Sequence, residues 1–273
     1  MPTKLTLPWQ HLEAVYEAGI GDRAQRPASA HEEQDLKFTI GRLAEGREIG
    51  EFLAARFSGP LRILDLGSGS GGVASGVANF AGTTVVALDH QPHPILQRLC
   101  SETGLRILQV IASGEALPFR DDVFTSVLCL ETIEHVSRPA LLGGEIIRVL
   151  RIGGLCMVTT PPRLKYLFRR DPHFGIPGLL ALPDRLQKLV VTRLLRRTSG
   201  REYDVQHIYC YAGSIARLFP GRKIFQGVGQ PPPSKASRLL WQIRQRFSWE
   251  RLLIWKAGPP PASPVRSPHN PAS

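Results

Sequence analysis

The sequence predicts an α/β fold, in which a mostly parallel seven-stranded sheet forms the middle of a three-layer sandwich and a basic helical segment is inserted. Short apolar runs recur along the chain, and helical windows separate most of them, which is typical of a parallel sheet covered on both faces. The strands are predicted at RILDL (62–66), TVVALD (84–89), RILQVI (106–111), SVLCLE (126–131), GLCMVTT (154–160), 222–228 and 250–256. Helices are predicted over 32–57, 72–81, 92–103, 138–150, 211–219 and 235–247.

Composition divides the chain into unequal parts. Residues 1–30 are mixed and turn-rich, and a long helix follows them. The tail after residue 256, AGPPPASPVRSPHNPAS, has almost nothing to bury and is predicted to be disordered. The predicted segments are an N-terminal helical region (1–60), a nucleotide-binding core (61–162), a basic insertion (163–202), the completion of the core (203–256) and the tail (257–273).

The overall composition is that of a soluble globular protein, because 42% of the 273 residues are hydrophobic and 21% are charged. No apolar run approaches the ~18 residues of a membrane span, and residues 1–10 lack a signal-peptide pattern. We therefore expect a cytoplasmic protein. The four cysteines include no C-x-x-C pair, which favours free thiols over metal ligands.

The positive charge is concentrated in the insertion. The net charge of the chain is +11. Between Arg163 and Arg201 there are ten Lys and Arg but only two Asp, which gives this segment a charge of +8. Arginines alternate with Leu and Val over 185–197, so the segment either packs on the core with a solvated basic side or makes peripheral contact with an anionic membrane. Contact with the membrane would give the protein access to a lipid-linked acceptor.

The stretch ILDLGSGSGG (63–72) follows the pattern strand, glycine turn, helix. Its G-x-G-x-x-G spacing is shared by several cofactor families and by plain turns. Asp65 lies two residues before the first glycine, where a carboxylate would disfavour a diphosphate and favour a cationic ligand. Asp89 ends the second strand, where a carboxylate can accept both ribose hydroxyls of either kind of cofactor.

Five motifs within residues 32–162 resemble those of class I S-adenosylmethionine-dependent methyltransferases, most closely the branch that includes the quinone-biosynthesis enzymes. They are DLGSGSG, Asp89, GEALPF (114–119), LETIEHV (130–136) and RVLRIGG (148–154). The resemblance implies a Rossmann-like fold and S-adenosyl-L-methionine (SAM) as cofactor. The residues expected to bind it are Asp65, Gly67, Ser68, Gly69, Gly71, Asp89, His90, Ser113, Gly114, Glu115, Ala116 and Leu130.

Two positions depart from the family pattern. Ser113 stands where the family often has an Asp that binds adenine, and a hydroxyl binds the amino group more weakly than a carboxylate. Thr125 stands where the family often has Asp. A catalytically degenerate, methyltransferase-like scaffold is therefore an alternative to the enzyme.

Glu131, directly after the fourth strand, is the first candidate for a catalytic base, and the resemblance also puts it beside the acceptor. His207, three residues after Asp204, is the second candidate and could equally cap a helix. His135 is a further candidate, although it and Glu134 are more typical of structural residues.

His173 on the insertion is a further option for the base. Metal binding is not expected, because Pro92 interrupts the pair His90 and His93.

The resemblance and the basic insertion favour methyl transfer to a small-molecule or lipid-linked acceptor, such as a quinone, lipid or glycan precursor. The alternative of an RNA methyltransferase rests on basic charge alone. Nucleic acid is disfavoured because LETI lacks the Asn- or Asp-Pro-Pro-aromatic arrangement of base-amino methylation. A dinucleotide oxidoreductase would share the glycine turn.

Overall fold

The computed structural model describes residues 5–24, 30–161, 163–170, 174–195, 205, 207–209, 212–220, 225–227 and 252–256. The predicted helix 235–247 and the predicted disordered tail lie outside these residues.

The elements alternate as the sequence predicts. The strands are β1 (Leu61–Leu66), β2 (Thr83–Asp89), β3 (Ile107–Ile111), β4 (Phe124–Leu130), β5 (Leu150–Thr159), β6 (Phe225–Gly227) and β7 (Leu252–Trp255). The helices are α1 (Trp9–Ala24), α2 (Ala30–Arg56), α3 (Gly72–Ala78), α4 (Pro94–Thr103), α5 (Pro139–Val149), α6 (Asp184–Val190) and α7 (Ala212–Ala216). None of these described helices is both long enough and apolar enough to cross a bilayer.

The strands form one sheet in the order β3-β2-β1-β4-β5-β7-β6. The first five strands run parallel, and β7 is antiparallel to both of its neighbours. This confirms the Rossmann-like α/β fold with a mostly parallel sheet. Asp65 on β1 is in register with Ala87 on β2 and Leu128 on β4, so the carboxyl ends of these three strands meet at one edge. Open α/β sheets bind ligands at that edge.

Helices cover the sheet on both faces, and each face has its own apolar core. On one face, buried side chains of α1, α2, α3 and α4 pack together, among them Tyr16, Ile49, Val77 and Leu96. On the other face, the core contains α5 and α7, which contribute residues such as Ile146 and Ile215. Burial on both faces explains why the parallel strands are nearly continuous apolar runs rather than alternating ones.

The N-terminal prediction was wrong for α1, because Trp9–Ala24 is a helix rather than a mixed, turn-rich stretch. Its anchors are Leu12 and Tyr16, which lie one turn apart and are fully buried. Ala14, Val15 and Ala18 fall on its other faces, so apolar residues are not confined to one side and the helical periodicity is weak in the sequence. Tertiary packing against α2 and α4, rather than periodicity, stabilises this helix.

The basic insertion consists of short turns rather than one long helix. Helical turns at Arg163–Tyr166 and Leu179–Ala181 precede α6, and a π-helical stretch, Val191–Leu195, continues it. Arg163 donates hydrogen bonds to the carbonyl oxygens of Leu180 and Leu182. Part of the positive charge therefore holds the segment together.

A second arginine fixes the loop between β3 and β4. The Arg148 guanidinium on α5 donates to the carbonyl oxygens of Leu117 (3.0 Å) and Phe119 (2.7 Å) and pairs with Asp121 at 2.8 Å. Glu145, one turn earlier, pairs with Arg148 and accepts a hydrogen bond from the Leu117 N–H at 2.7 Å. The loop that carries residues 113–116 is therefore tied to α5.

Candidate functional site

A cavity of about 810 Å³ opens at the carboxyl edge formed by β1, β2 and β4. Its size suits a nucleoside-sized ligand. Six of the predicted cofactor-binding residues line it: Gly67, Asp89, His90, Ser113, Gly114 and Glu115. Two of the predicted catalytic residues, Glu131 and His135, line it as well. The structure therefore brings together residues that lie up to 68 positions apart in the chain.

The glycine loop forms one wall of this region. Gly67 has a φ of +77°, and a Cβ placed there would collide with the side chain of Thr132. Gly69 has a φ of +50°, but a Cβ placed there would meet nothing within 4 Å. Gly67 therefore makes the tight turn possible, whereas Gly69 leaves space beside the backbone that a ligand can fill.

Three of the predicted loop residues, Ser68, Gly69 and Gly71, are not among the residues that line the main cavity. Gly71 is the residue before α3, and a Cβ there would meet the Leu96 side chain at 2.5 Å, so this glycine permits helix packing. Ser68 lines a neighbouring cavity of about 150 Å³, together with Asp89 and residues of α4.

Asp65 is a buried carboxylate two residues before the glycine loop, and it is not among the residues that line the main cavity or its neighbour. It is 2% exposed, and its Oδ2 atom has no hydrogen-bond partner among the residues that the structure describes. Burial raises the pKa of Asp65 from its ordinary value of 3.8 to about 7, while the Arg42 guanidinium opposes that rise. A buried carboxylate with an unused acceptor fits a cationic ligand group and does not fit a diphosphate.

We expect both stability and ligand affinity to depend on pH through Asp65. Because the folded-state pKa is raised, this group contributes stability below its unfolded value of 3.8, and that stability is lost as the pH rises through about 7. A cationic ligand needs the ionised form, so its Kd should rise by up to about ten-fold per pH unit below 7. Calorimetry and thermal unfolding at pH 6 and 8 test this, and Asp65→Asn should remove both dependences.

Asp89 connects the ends of β1 and β2. Its Oδ2 accepts the Gly69 N–H at 2.9 Å, and its Oδ1 accepts the His90 N–H at 2.7 Å. The His90 Nδ1 lies 2.8 Å from Oδ1, and the His93 Nε2 lies 3.4 Å from Oδ2. Asp89 therefore shapes the glycine loop as well as lining the cavity.

The segment after β3 forms the rim of the cavity. The Ser113 Oγ accepts the Glu115 N–H at 3.2 Å. The Glu115 carboxylate accepts the backbone N–H of Arg138 at 2.9 Å and its Nε–H at 2.8 Å. Hydrogen bonding to Arg138 lowers the pKa of Glu115. Glu115 therefore joins the rim to α5, and Ala116 is exposed outside the cavity.

Glu131 has an unusual backbone conformation. Its φ is +55°, in the left-handed region that residues other than glycine rarely adopt. Its N–H donates to the carbonyl oxygen of Thr159 at 3.0 Å and to Oγ1 of Thr159 at 3.1 Å. The backbone of β5 therefore holds Glu131 in a strained conformation at the cavity, which is characteristic of functional positions.

The histidine candidates are separated. His135 borders the main cavity, whereas His207 borders a smaller, closed one and has its Nε2 3.5 Å from the carbonyl oxygen of Ser137. The His207 N–H donates to the carbonyl oxygen of Glu134 at 3.0 Å. Both Asp204 and His173 lie outside the described residues.

The Leu130 side chain is buried in the core of β4 and is not among the cavity's lining residues, so its predicted contact with the cofactor stays a prediction. Sequence reasoning also missed several lining residues, which are Leu66, Leu88, Ile111, Ala112, Thr132, Val136 and Ser137. Leu66 and Ile111 end a strand and Ala112 directly follows one, so the strand boundaries were the signal that could have found these three. Among the described residues, no group of three or more His, Cys, Asp or Glu could hold a metal ion.

Comparison with known proteins agrees with this geometry. Residues 64–158 match the family model described as a methyltransferase domain. The chain is 37% identical over 110 residues to an uncharacterized methyltransferase of Mycobacterium marinum, covering 40% of this chain and 41% of that protein. It is 35% identical over 114 residues to the uncharacterized methyltransferase Rv0224c of Mycobacterium tuberculosis, covering 41% and 44% of the two chains. The chain thus spans less than half the length of these curated relatives.

Two solved structures share the fold. The PH0226 protein of Pyrococcus horikoshii superimposes with a TM-score of 0.52 at 16% identity, covering 76% of this chain and 87% of that one. The YcgJ protein of Bacillus subtilis gives a TM-score of 0.50 at 16% identity, covering 80% and 99%. These likenesses show the Rossmann-like fold, within which residues 64–158 match the methyltransferase domain model.

Proposed function

We propose that this chain is a class I methyltransferase that transfers a methyl group from SAM to a small-molecule or lipid-linked acceptor. The observation that supports it most is the buried Asp65 carboxylate, whose unused Oδ2 lies behind the glycine loop. SAM carries a sulfonium and an ammonium but no phosphate, so it suits this charge. A dinucleotide would bring its diphosphate to the same turn.

Different residues of the chain bind different parts of the cofactor. The open space beside Gly69 receives the methionine portion, and the ionised Asp65 attracts its positive charge. The Asp89 carboxylate accepts the ribose hydroxyls, while the rim around Ser113 borders the adenine. When bound, SAM supplies a methyl group that its sulfonium already activates, so the protein mainly aligns the acceptor.

Glu131 acts as the base in this proposal. It lines the cavity directly after β4, where its carboxylate can take the proton of a phenol, hydroxyl or amine as that group attacks. His135, on the same cavity, is the second candidate, and His207 faces the smaller cavity behind it. The strained backbone of Glu131 and its position in the lining of the main cavity favour it over both histidines as the base.

Replacing Asp89 by alanine should weaken SAM binding by about 1–3 kcal/mol, through loss of charge-assisted hydrogen bonds to the ribose. The substitution also releases the Gly69 N–H, so Asp89→Asn is the matched variant that can still accept one of these bonds. Titration calorimetry measures both. An alanine variant with the affinity of the wild type would remove Asp89 from the ribose role.

The composition of the basic insertion supports the proposal that the acceptor is held at an anionic membrane. The protein contacts this membrane from the cytoplasmic side. Phe168 is 90% exposed, and Leu186 and Leu189 on α6 are 46% and 43% exposed. The exposed cations Arg185 and Lys188 lie on α6 as well, and Arg193 lies on the π-helical stretch that continues it. Apolar side chains among cations are the usual composition of a membrane-surface segment.

Co-sedimentation with liposomes tests this surface. We expect the wild type to bind phosphatidylglycerol liposomes but not phosphatidylcholine liposomes, and salt to weaken the binding. The double variant Phe168→Ser, Leu186→Ser should lose most of it. Leu141→Ser, which changes a 45% exposed leucine on α5, is the matched control and should bind normally. Equal and negligible binding to both lipids would rule the surface out.

The activity itself is tested with SAM that carries a labelled methyl group. The protein is incubated with extracted lipids, quinones, glycan precursors and RNA in separate reactions, and the product that acquires the label is identified. We expect label in a lipid or quinone fraction. Label in RNA would make the RNA methyltransferase correct, and no label in any fraction despite SAM binding would favour a degenerate scaffold.

A further inference from the structure

The smaller cavity, which His207 borders, lies between the basic insertion and the end of β5. Its volume is about 10 Å³, which is room for one group of the size of a water molecule. Apolar side chains of the insertion, among them Leu179 and Leu180, form part of its wall. Its polar lining includes the side chains of Gln187 and Glu134. The cavity therefore suits one small polar group in largely apolar surroundings.

Gln187 on α6 brings an unused hydrogen-bond acceptor to this cavity. The residue is fully buried, and its Oε1 atom has no hydrogen-bond partner among the residues that the structure describes. Its Nε2 donates to the carbonyl oxygen of Leu182 at 2.7 Å, and only the nitrogen of the amide can do so, which fixes the orientation of the amide. Buried acceptors are rarely left unpaired in folded proteins, so Oε1 indicates a ligand that donates a hydrogen bond.

A hydrogen-bond network holds the Gln187 amide in place. Arg163 donates from Nη2 to the same Leu182 carbonyl at 2.7 Å and from Nη1 to the Asp184 Oδ1 at 3.0 Å. The Gln187 Nε2 lies 3.4 Å from that Asp184 oxygen. The Arg163 N–H donates to the carbonyl oxygen of Tyr209 at 2.9 Å, which ties the network to the chain beyond the insertion. Oε1 is therefore positioned in advance, which lowers the entropic cost of binding a ligand.

One short segment, residues 131–137, borders both cavities. Glu131 and His135 line the main cavity, whereas Glu134 lines the small one and is 1% exposed. Thr160, which also lines the small cavity, directly follows β5, the strand that holds the N–H of Glu131. The small cavity therefore lies next to the proposed base and outside the space proposed for the cofactor.

We propose that the small cavity receives a hydroxyl or amino group of the acceptor, which donates a hydrogen bond to the Gln187 Oε1, so that Gln187 determines specificity. This inference rests on the proposed function and names its acceptor class. The acceptor carries a second O–H or N–H group besides the one that is methylated, because the methyl donor binds in the main cavity. Gln187 belongs to the insertion and lies outside residues 64–158, which match the family model.

The test pairs changes in the acceptor with a change in Gln187, on the full chain. The acceptor that acquires the labelled methyl group in the assay above is compared with analogues that each lack one of its other hydroxyl or amino groups. In the wild type, one analogue should have a KM about ten- to a hundred-fold higher than the acceptor, because Oε1 loses its partner. Gln187→Met should raise the KM of the intact acceptor similarly, and that same analogue should then cost at most about two-fold more.

Two further variants separate recognition from packing. Gln187→Glu and Gln187→Met both remove the Nε2 donor to Leu182, but only glutamate keeps an oxygen acceptor, so its KM should lie well below that of Gln187→Met. Thr192→Val is the matched control, because it removes one side-chain hydrogen bond, to the Lys188 carbonyl oxygen, outside the cavity lining. It should leave KM unchanged. The Kd of SAM should stay within about two-fold in all three variants.

Equal KM values for Gln187→Met and Gln187→Glu, or additive losses for every analogue, would overturn the proposal and identify Gln187 as structural. An acceptor without a second O–H or N–H group would overturn it too. The wild type alone decides even if Gln187→Met does not fold, since the absence of any analogue with a raised KM would contradict the proposal. A wild type that methylates no fraction would instead refute the proposed function, and this inference with it.

Discussion

Glu131→Gln is expected to lower kcat by about 10²- to 10⁴-fold, because glutamine keeps the shape of the side chain but cannot accept a proton. The Kd of SAM should stay within about two-fold, since Glu131 acts on the acceptor. The measurement is single-turnover transfer of the labelled methyl group to the acceptor identified above, together with calorimetry. The substitution keeps the backbone, so the φ of +55° is strained in both proteins.

His135→Gln is the comparison on the same cavity wall, and it should reduce kcat far less than Glu131→Gln does. If Glu131→Gln turns over like the wild type, Glu131 is not the base. If His135→Gln shows the larger loss, the base is His135. A large rise in the Kd of SAM in Glu131→Gln would instead identify Glu131 as a cofactor contact.

Gly67→Ala is expected to destabilise the fold by roughly 2–4 kcal/mol, because a Cβ there combines left-handed backbone strain with a collision. The collision partner is Thr132, whose Oγ1 donates to the carbonyl oxygen of Leu66 at 3.0 Å and which is stiff at χ1. It cannot move aside without breaking that bond. Denaturant unfolding measures the loss, and SAM binding should be lost as well.

Gly69→Ala is the matched variant that separates folding from binding. Its φ is also positive, but the added Cβ meets nothing within 4 Å, so the cost should be only about 1–2 kcal/mol. The same methyl group would occupy the space proposed for the cofactor, so we expect a stable protein with much weaker SAM binding. A Gly69→Ala protein that binds SAM like the wild type would show that the ligand lies elsewhere.

The sheet could be predicted because buried parallel strands leave a strong local signal. All five parallel strands are short apolar runs, and their ends carry polar residues such as Asp89 and Glu131. Parallel strands that end at one edge must gather those residues, so the cavity followed from the order of elements. The helix α1 left a weaker signal, because Leu12 and Tyr16 are the only fully buried side chains in the part of it whose side chains the structure describes, residues 9–18.

Parts of the site that depend on tertiary packing could not be read from the motifs. Arg42, whose guanidinium opposes the rise in the pKa of Asp65, precedes that residue by more than twenty positions, and the packing of α2 on α3 brings the two together. The left-handed backbone of Glu131 arises from its hydrogen bonds to Thr159 on β5, which no local pattern encodes. The two hydrogen bonds that the Glu115 carboxylate accepts from Arg138 likewise join segments that are distant in the chain.

The central claim is that a buried carboxylate behind the glycine turn selects a cationic cofactor over a diphosphate. Titration calorimetry of the full chain with SAM and with NAD at pH 8, where Asp65 is ionised, tests it directly. The account predicts micromolar binding of SAM and no detectable binding of NAD. Binding of NAD without binding of SAM would contradict it.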